Sequence, residues 1–147
     1  MFRWLLDTLE IWLFKLLERN KVVLVYLPLI FYWILLFTLT SLPTESVPSV
    51  GVNDKVEHLL AYFGLSFLLY LALLFQKKSI ILKNYAVLFT FLVVFAYGIM
   101  DEVHQLLVPG RSCELLDFLA DMLGGVIGII VLKILIKFNK YQEQTVS

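Results

Sequence analysis

Four long apolar stretches separated by short polar breaks organise this chain. A helix that crosses a bilayer needs about 20 mostly apolar residues. Val22 to Thr40, Val56 to Phe75, Tyr85 to roughly Leu107 and Leu115 to roughly Phe138 meet that need. The first is nearly unbroken and stops before Pro43, and the second lies between Asp54-Lys55 and Gln76-Lys77-Lys78. The third turns polar from Asp101 onward, and the fourth carries Asp117 and Asp121 in its opening turns. Pro109-Gly110 marks the turn between them. Ser112 is a candidate cap for the fourth span, and Glu114 and Asp117 suit the positive end of its dipole.

The beginning of the chain follows a different pattern. In Phe2 to Asn20, Arg3, Asp7, Glu10 and Glu18 fall near one helical face, and leucines and tryptophans spread over the rest. That spacing predicts an amphipathic helix lying on the membrane, with Trp4 and Trp12 at the interface. A tilted fifth span is the alternative. A signal peptide is not expected, because charges interrupt the apolar core it would need. The predicted architecture is an all-α membrane protein. It has an N-terminal amphipathic interfacial helix over residues 1–20, a four-helix transmembrane bundle over 21–138 and a cytoplasmic tail over 139–147.

Composition strengthens this picture. Hydrophobic residues form 61% of the 147 residues, well above the roughly 45–50% of a soluble domain, and the mean hydropathy is +0.88. The single cysteine, Cys113, excludes an intrachain disulfide and a multi-cysteine metal site. No run of like charge marks a nucleic-acid surface.

A formal net charge of zero conceals a sorted distribution. Eight acids (Glu45, Asp54, Glu57, Asp101, Glu102, Glu114, Asp117, Asp121) gather at one end of the spans with only Lys55 and Arg111, giving −6. The other end holds ten bases against four acids, giving +6. Cytoplasmic loops are enriched in lysine and arginine, so both termini are expected in the cytoplasm and the acidic end outside.

The acidic end is also the candidate site. Asp54 and His58 are four residues apart and share a helix face. Gly98, Asp101 and Gln105 form one stripe, with Glu102 on its flank. Asp117 and Asp121 are continued by Gly124 and Gly128, small residues that let another helix approach. At 1.5 Å per residue, Asp101 lies roughly 9 Å inside its span. A charge at a span's centre costs about 2.5–3.5 kcal/mol, less at this depth. Three remedies are open: pairing with Lys55 and Arg111, protons held at raised pKa, or a bound cation. Two bases cannot neutralise six crowded acids, so a protonated carboxyl or a recruited divalent cation is expected.

Each group carries a blander alternative. Asp54 and His58 suit metal binding or proton transfer, or else a capped helix start beside a hydrogen-bonded histidine. Asp101 and Glu102 suit an acid–base pair or hard-cation ligands, or else polar glue between spans. Arg111 suits a two-point grip on phosphate or carboxylate, or else an interfacial anchor paired with Asp117. His104 is expected as an interfacial neighbour. The remaining lysines read as topology signals.

The spaced set Asp54-Lys55-x-x-His58-x-x-x-Tyr62, Asp101-Glu102-x-x-Gln105, Pro109-x-Arg111 and Asp117 followed by Gly124 and Gly128 resembles the VanZ family. The likeness runs from about Ser41 to Ile130. The family usually has asparagine at the position of Asp121, and His104 is an addition. The resemblance implies a small bacterial protein of the cell envelope, in a family whose founding member is associated with resistance to teicoplanin, a lipoglycopeptide. It implies no reaction.

The expected function is recognition or processing of an amphiphile at the outer leaflet: a membrane lipid, a lipid-linked wall precursor or a lipoglycopeptide. Asp54, His58, Asp101, Glu102 and Asp117 would do the acid–base work or hold a cation. Lys55, Gln105, Arg111 and Asp121 would contact the substrate. A non-enzymatic module, with its N-terminal helix on a protein partner, is the second expectation. A cation-coupled transporter is third, disfavoured because Lys133 is the lone polar candidate deep on the basic side.

Overall fold

A computed structural model of the protein describes residues 12–43, 45 and 53–146, and side chains as far as residue 137. The described residues form helices and connecting turns, without strands. Helix α1 covers 12–19. A π-turn over Val22–Tyr26 leads into α2 (Leu27–Thr40). Then come α3 (Asp54–Phe75), the short α4 (Ile80–Asn84), α5 (Ala86–Gln105) and α6 (Leu115–Val146). Four spans are long and apolar enough to cross a membrane: Val22–Thr40, Asp54–Phe75, Ala86–Gln105 and Leu115–Lys137. The all-α, four-span bundle expected from the hydrophobic pattern is the architecture observed.

Local chemistry sets the element ends. Pro28 lies in the first turn of α2. It has no N–H and its ring crowds the carbonyl four residues earlier. The chain absorbs this by widening the preceding turn, so that Leu27 N–H bonds to the Val22 carbonyl. Asn53 caps α3 by accepting from Lys55 N–H at 2.9 Å. Ser79 caps α4 by accepting from Leu82 N–H at 3.3 Å. Between α5 and α6, Arg111 N–H reaches the Val108 carbonyl at 3.1 Å. Pro109 occupies the second position of that turn and Gly110, at φ 78°, the third, as a type II turn requires.

Part of the helix expected over Phe2 to Asn20 lies outside the described residues. The rest is joined to the first span without a loop, since Val23 and Leu24 N–H both bond to the Asn20 carbonyl at 3.0 Å. Phe14 and Leu17 pack against the cluster formed by Val25, Tyr70, Ala86 and Leu132. This apolar face therefore packs in part on the bundle itself. Lys21 donates to the Phe75 carbonyl at 2.8 Å, a cation at a helix C-terminus. The Gln76–Asn84 loop contains α4, and the helix of the fourth span, whose apolar part ends at Lys137 close to the expected Phe138, continues to Val146.

The closest helix approach is between α3 and α6. A Cβ placed on Gly124 would collide with the Leu59 carbonyl, and one on Gly128 with Ser66 Oγ and the Phe63 carbonyl. Helix α2 is attached to the side of α3 and α5, through Tyr32 Oη to the Ala61 carbonyl at 3.0 Å and an edge-on contact of Trp33 with Tyr97. Large apolar side chains such as Phe31, Met100, Leu116 and Leu123 remain exposed on the outer faces of the spans, as lipid contact requires.

Candidate functional site

The polar site is assembled where α3 and α6 begin and α2 and α5 end. Apolar periodicity turns the inner face of each helix toward the bundle. The same geometry carries Asp101, Glu102, Gln105, Asp117, Asp121 and His58 inward, each with less than a tenth of its surface exposed. Glu102, expected on the flank of its helix, is as buried as Asp101, at 4% each.

Lys55 is the hub of the outer rim. Its ammonium lies 2.6 Å from Asp117 Oδ1, 2.7 Å from Glu114 Oε2 and 3.6 Å from Asp54 Oδ2. The contact with Glu114 is a hydrogen bond. The one with Asp117 has ion-pair distance without hydrogen-bond alignment. Glu114 stands just outside the span, and its hydrogen bond from Lys55 holds the carboxyl below the usual range. Its backbone N–H donates to Glu102 Oε2 at 2.8 Å. Ser112, the candidate cap, instead donates to Glu114 Oε1 at 3.1 Å, while the Glu114 carbonyl accepts the first bonds of α6.

Beneath this rim, His58 Nδ1 lies 2.9 Å from Asp121 Oδ1. Asp121 is fully buried. A carboxylate on one imidazole nitrogen fixes the ring and leaves the other nitrogen as base or ligand. Asp121 thus has a defined place beside His58. Asp101 follows on the α5 side, adjoined by Thr40 and Gln105. Among the described residues no cation contacts Asp101 or Glu102.

Arg111 is not paired with Asp117. Its guanidinium donates to the Leu42 and Leu39 carbonyls at 3.4 and 3.3 Å, at the end of α2. A cation there complements the helix dipole. Arg111, Asp54, His58, Tyr62 and Asp101 line a cavity of about 130 Å³, walled on its apolar side by Leu36, Leu39 and Ala61. Lys55, Glu102, Gln105, Asp117 and Asp121 lie outside that lining, the last four of them buried. A larger groove of about 500 Å³ at the opposite end, lined by Tyr85, Phe91 and Lys133 among others, contains no acid.

His104 shares a hydrogen bond between Nε2 and Ser41 Oγ at 3.0 Å and stacks on Phe37. Tyr62 has a larger part than its residue type suggested. It is 2% exposed, lines the cavity, and its hydroxyl lacks a hydrogen-bond partner among the described residues. Its position one turn beyond His58 was a usable signal. The backbone acceptors Leu39 and Leu42 have no such signal, because a carbonyl's availability depends on where a helix ends.

Among the described residues two arrangements offer one ligand atom per residue within 4.8 Å of one another: Asp54, His58 and Asp117, or His58, Asp101 and Asp121. A comparison with known families matches residues 23–136, more than three quarters of the chain, to the family described as VanZ/LLP1. No curated protein and no solved structure matches.

Proposed function

This chain belongs to the VanZ-like family of membrane proteins, and we propose that it works in the cell envelope, recognising or processing the anionic head of an amphiphile at the outer leaflet. The supporting observation is the convergence of Arg111, His58 and Asp101 on one small cavity among the span ends. Arg111 provides planar donors for a phosphate or carboxylate. His58, oriented by Asp121, provides a base or proton donor beside Asp101. Leu36, Leu39 and Ala61 provide an apolar wall for the first carbons of a tail.

Size supports one candidate ligand over another. A cavity of about 130 Å³ is well below the about 300–1,000 Å³ of drug-sized sites. This favours a head group over an entire lipoglycopeptide, which would engage only through a part. The charge of Lys55 is compensated by Glu114 and Asp117, whereas Arg111, among the described residues, meets only the neutral Leu39 and Leu42 carbonyls and keeps Nη1 for a ligand, so the anion-binding role falls to Arg111 and Lys55 becomes a positioning residue.

A second reading has its own observation. The contacts of Lys55 and Arg111 tie the ends of α2, α3 and α6 together, as they would in a purely structural module. Native mass spectrometry of the detergent-purified protein separates the two. Under the proposal, Arg111→Ala and Asp101→Asn abolish head-group-selective lipid retention and any lipoglycopeptide tolerance at normal membrane levels. Retention in both variants refutes the proposal. Reduced abundance with retained selectivity favours the module.

A further inference from the structure

We infer that His58, Asp101 and Asp121 form a buried site for one divalent cation of the Zn²⁺ or Mn²⁺ class. This deepens the reading of the same site, in which His58 and Asp101 line the cavity and Asp121 adjoins it through His58, and its test does not depend on the amphiphile. The argument begins with charge. Asp101, Glu102, Asp117 and Asp121 are all buried. Lys55 compensates Asp117, and an imidazolium at His58 could compensate Asp121 at most. Two of the four carboxylates remain without a cation among the described residues. Charges this far from water are stable only when paired, protonated or metal-bound.

Hydrogen bonding then favours a metal over protons alone. Asp121 Oδ1 is used by His58, while Asp121 Oδ2 has no partner among the described residues, although the residue is fully buried. A proton on Oδ2 removes charge but creates an unsatisfied donor in its place. The Tyr62 hydroxyl, 2% exposed and on the cavity wall, is likewise unpartnered. A cation would satisfy the oxygen and the charge together, and its bound water would give Tyr62 a partner.

Geometry permits it. The three ligand atoms lie within 4.8 Å of one another. Atoms held about 2.1 Å from a shared ion stand about 3.4 Å apart in a tetrahedron and about 3.0 Å apart as octahedral neighbours, so the set closes by side-chain movements of up to roughly 1.5 Å. One imidazole with two carboxylates suits Zn²⁺ or Mn²⁺ better than Ca²⁺, which takes six to eight oxygens. The competing triad of Asp54, His58 and Asp117 is weaker, since Asp117 already faces Lys55 and Asp54 is exposed.

The test uses the full-length chain in detergent, stripped with EDTA and titrated with Zn²⁺ or Mn²⁺ alone, without added lipid or phosphate. Bound metal is counted by native mass spectrometry and folding is followed by circular dichroism. One ion per chain is expected in the wild type. His58→Gln and Asp101→Asn should each weaken binding by about tenfold or more, with helicity retained. Glu114→Gln, at the exposed rim, should bind as the wild type does. Should His58→Gln fail to fold, Asp101→Asn still decides. No ion in the wild type, undiminished binding in Asp101→Asn, or loss in Asp117→Asn but not Asp101→Asn overturns the assignment. None of these results touches the Arg111 test of head-group recognition.

Discussion

Gly124→Ala should open the site from a position that contributes nothing to its chemistry. The new Cβ would meet the Leu59 carbonyl carbon at 2.9 Å and Leu59 Cα at 3.0 Å, where ordinary contact begins at 3.4 Å. The carbonyl carbon must therefore retreat by 3.4 − 2.9 = 0.5 Å at least, and the carbonyl oxygen by more. Because the obstacle is backbone, no rotamer change relieves it. Leu59 adjoins His58, so the His58–Asp121 contact would stretch from 2.9 Å toward the limit of a hydrogen bond. Overpacking costs about 1–3 kcal/mol. Replacing a helical glycine by alanine returns about 1 kcal/mol. Since backbone clashes fall at the upper end, the net loss should be about 2 kcal/mol, or roughly 30-fold in the folding equilibrium. Reversible unfolding in mixed detergent, followed by tryptophan fluorescence, would measure it. Gly98→Ala is the control. Its nearest contacts are the mobile Met122 Cε at 3.1 Å and the Phe118 ring edge at 3.3 Å, and it should change stability by less than about 1 kcal/mol. Equal effects from the two substitutions would refute the close α3–α6 approach as the determinant of site geometry.

Two further outcomes follow from the rim. The lowered pKa of Glu114 means that its pairing with Lys55 stabilises the fold above its unfolded value of about 4.5. That contribution disappears as pH falls through the lower folded value. Glu114→Gln should thus reduce stability at neutral pH and flatten the acid limb of a stability–pH curve, and an unchanged limb would remove Lys55–Glu114 from the account. Cys113 is the chain's single cysteine and is exposed in the α5–α6 loop. A membrane-impermeant maleimide should label it in intact cells, and labelling that requires permeabilisation would place the site in the cytoplasm.

Much of this architecture is legible along the chain because a bilayer constrains sequence severely. Each span must be about 20 residues long and apolar, and its backbone must be satisfied internally. Helical spacing sufficed to place Asp54 with His58 and Asp101 with Gln105 on shared faces, and the small residues Gly124 and Gly128 on the close-packed side of α6. These are short-range relations, set by 3.6 residues per turn.

Which charge meets which lay beyond that reach. Lys55 and Arg111 were equivalent as partners for the acids. Only the packing of α3 on α6 delivers Lys55 to Asp117, while the end of α2 occupies Arg111 with carbonyls 69 and 72 residues away. His58 and Asp121 are 63 residues apart and meet because α3 and α6 run parallel in one register, so that Lys55 faces Asp117 and Leu59 faces Gly124 in step. The sequence by itself determined the number and ends of the spans and the gathering of acids at one end, since burial in lipid leaves few alternatives for hydrophobic length. The tertiary structure alone decided the pairing inside that acidic end. Partner choice there depends on ångström-scale helix register and depth, and periodicity along a single helix carries no information about either.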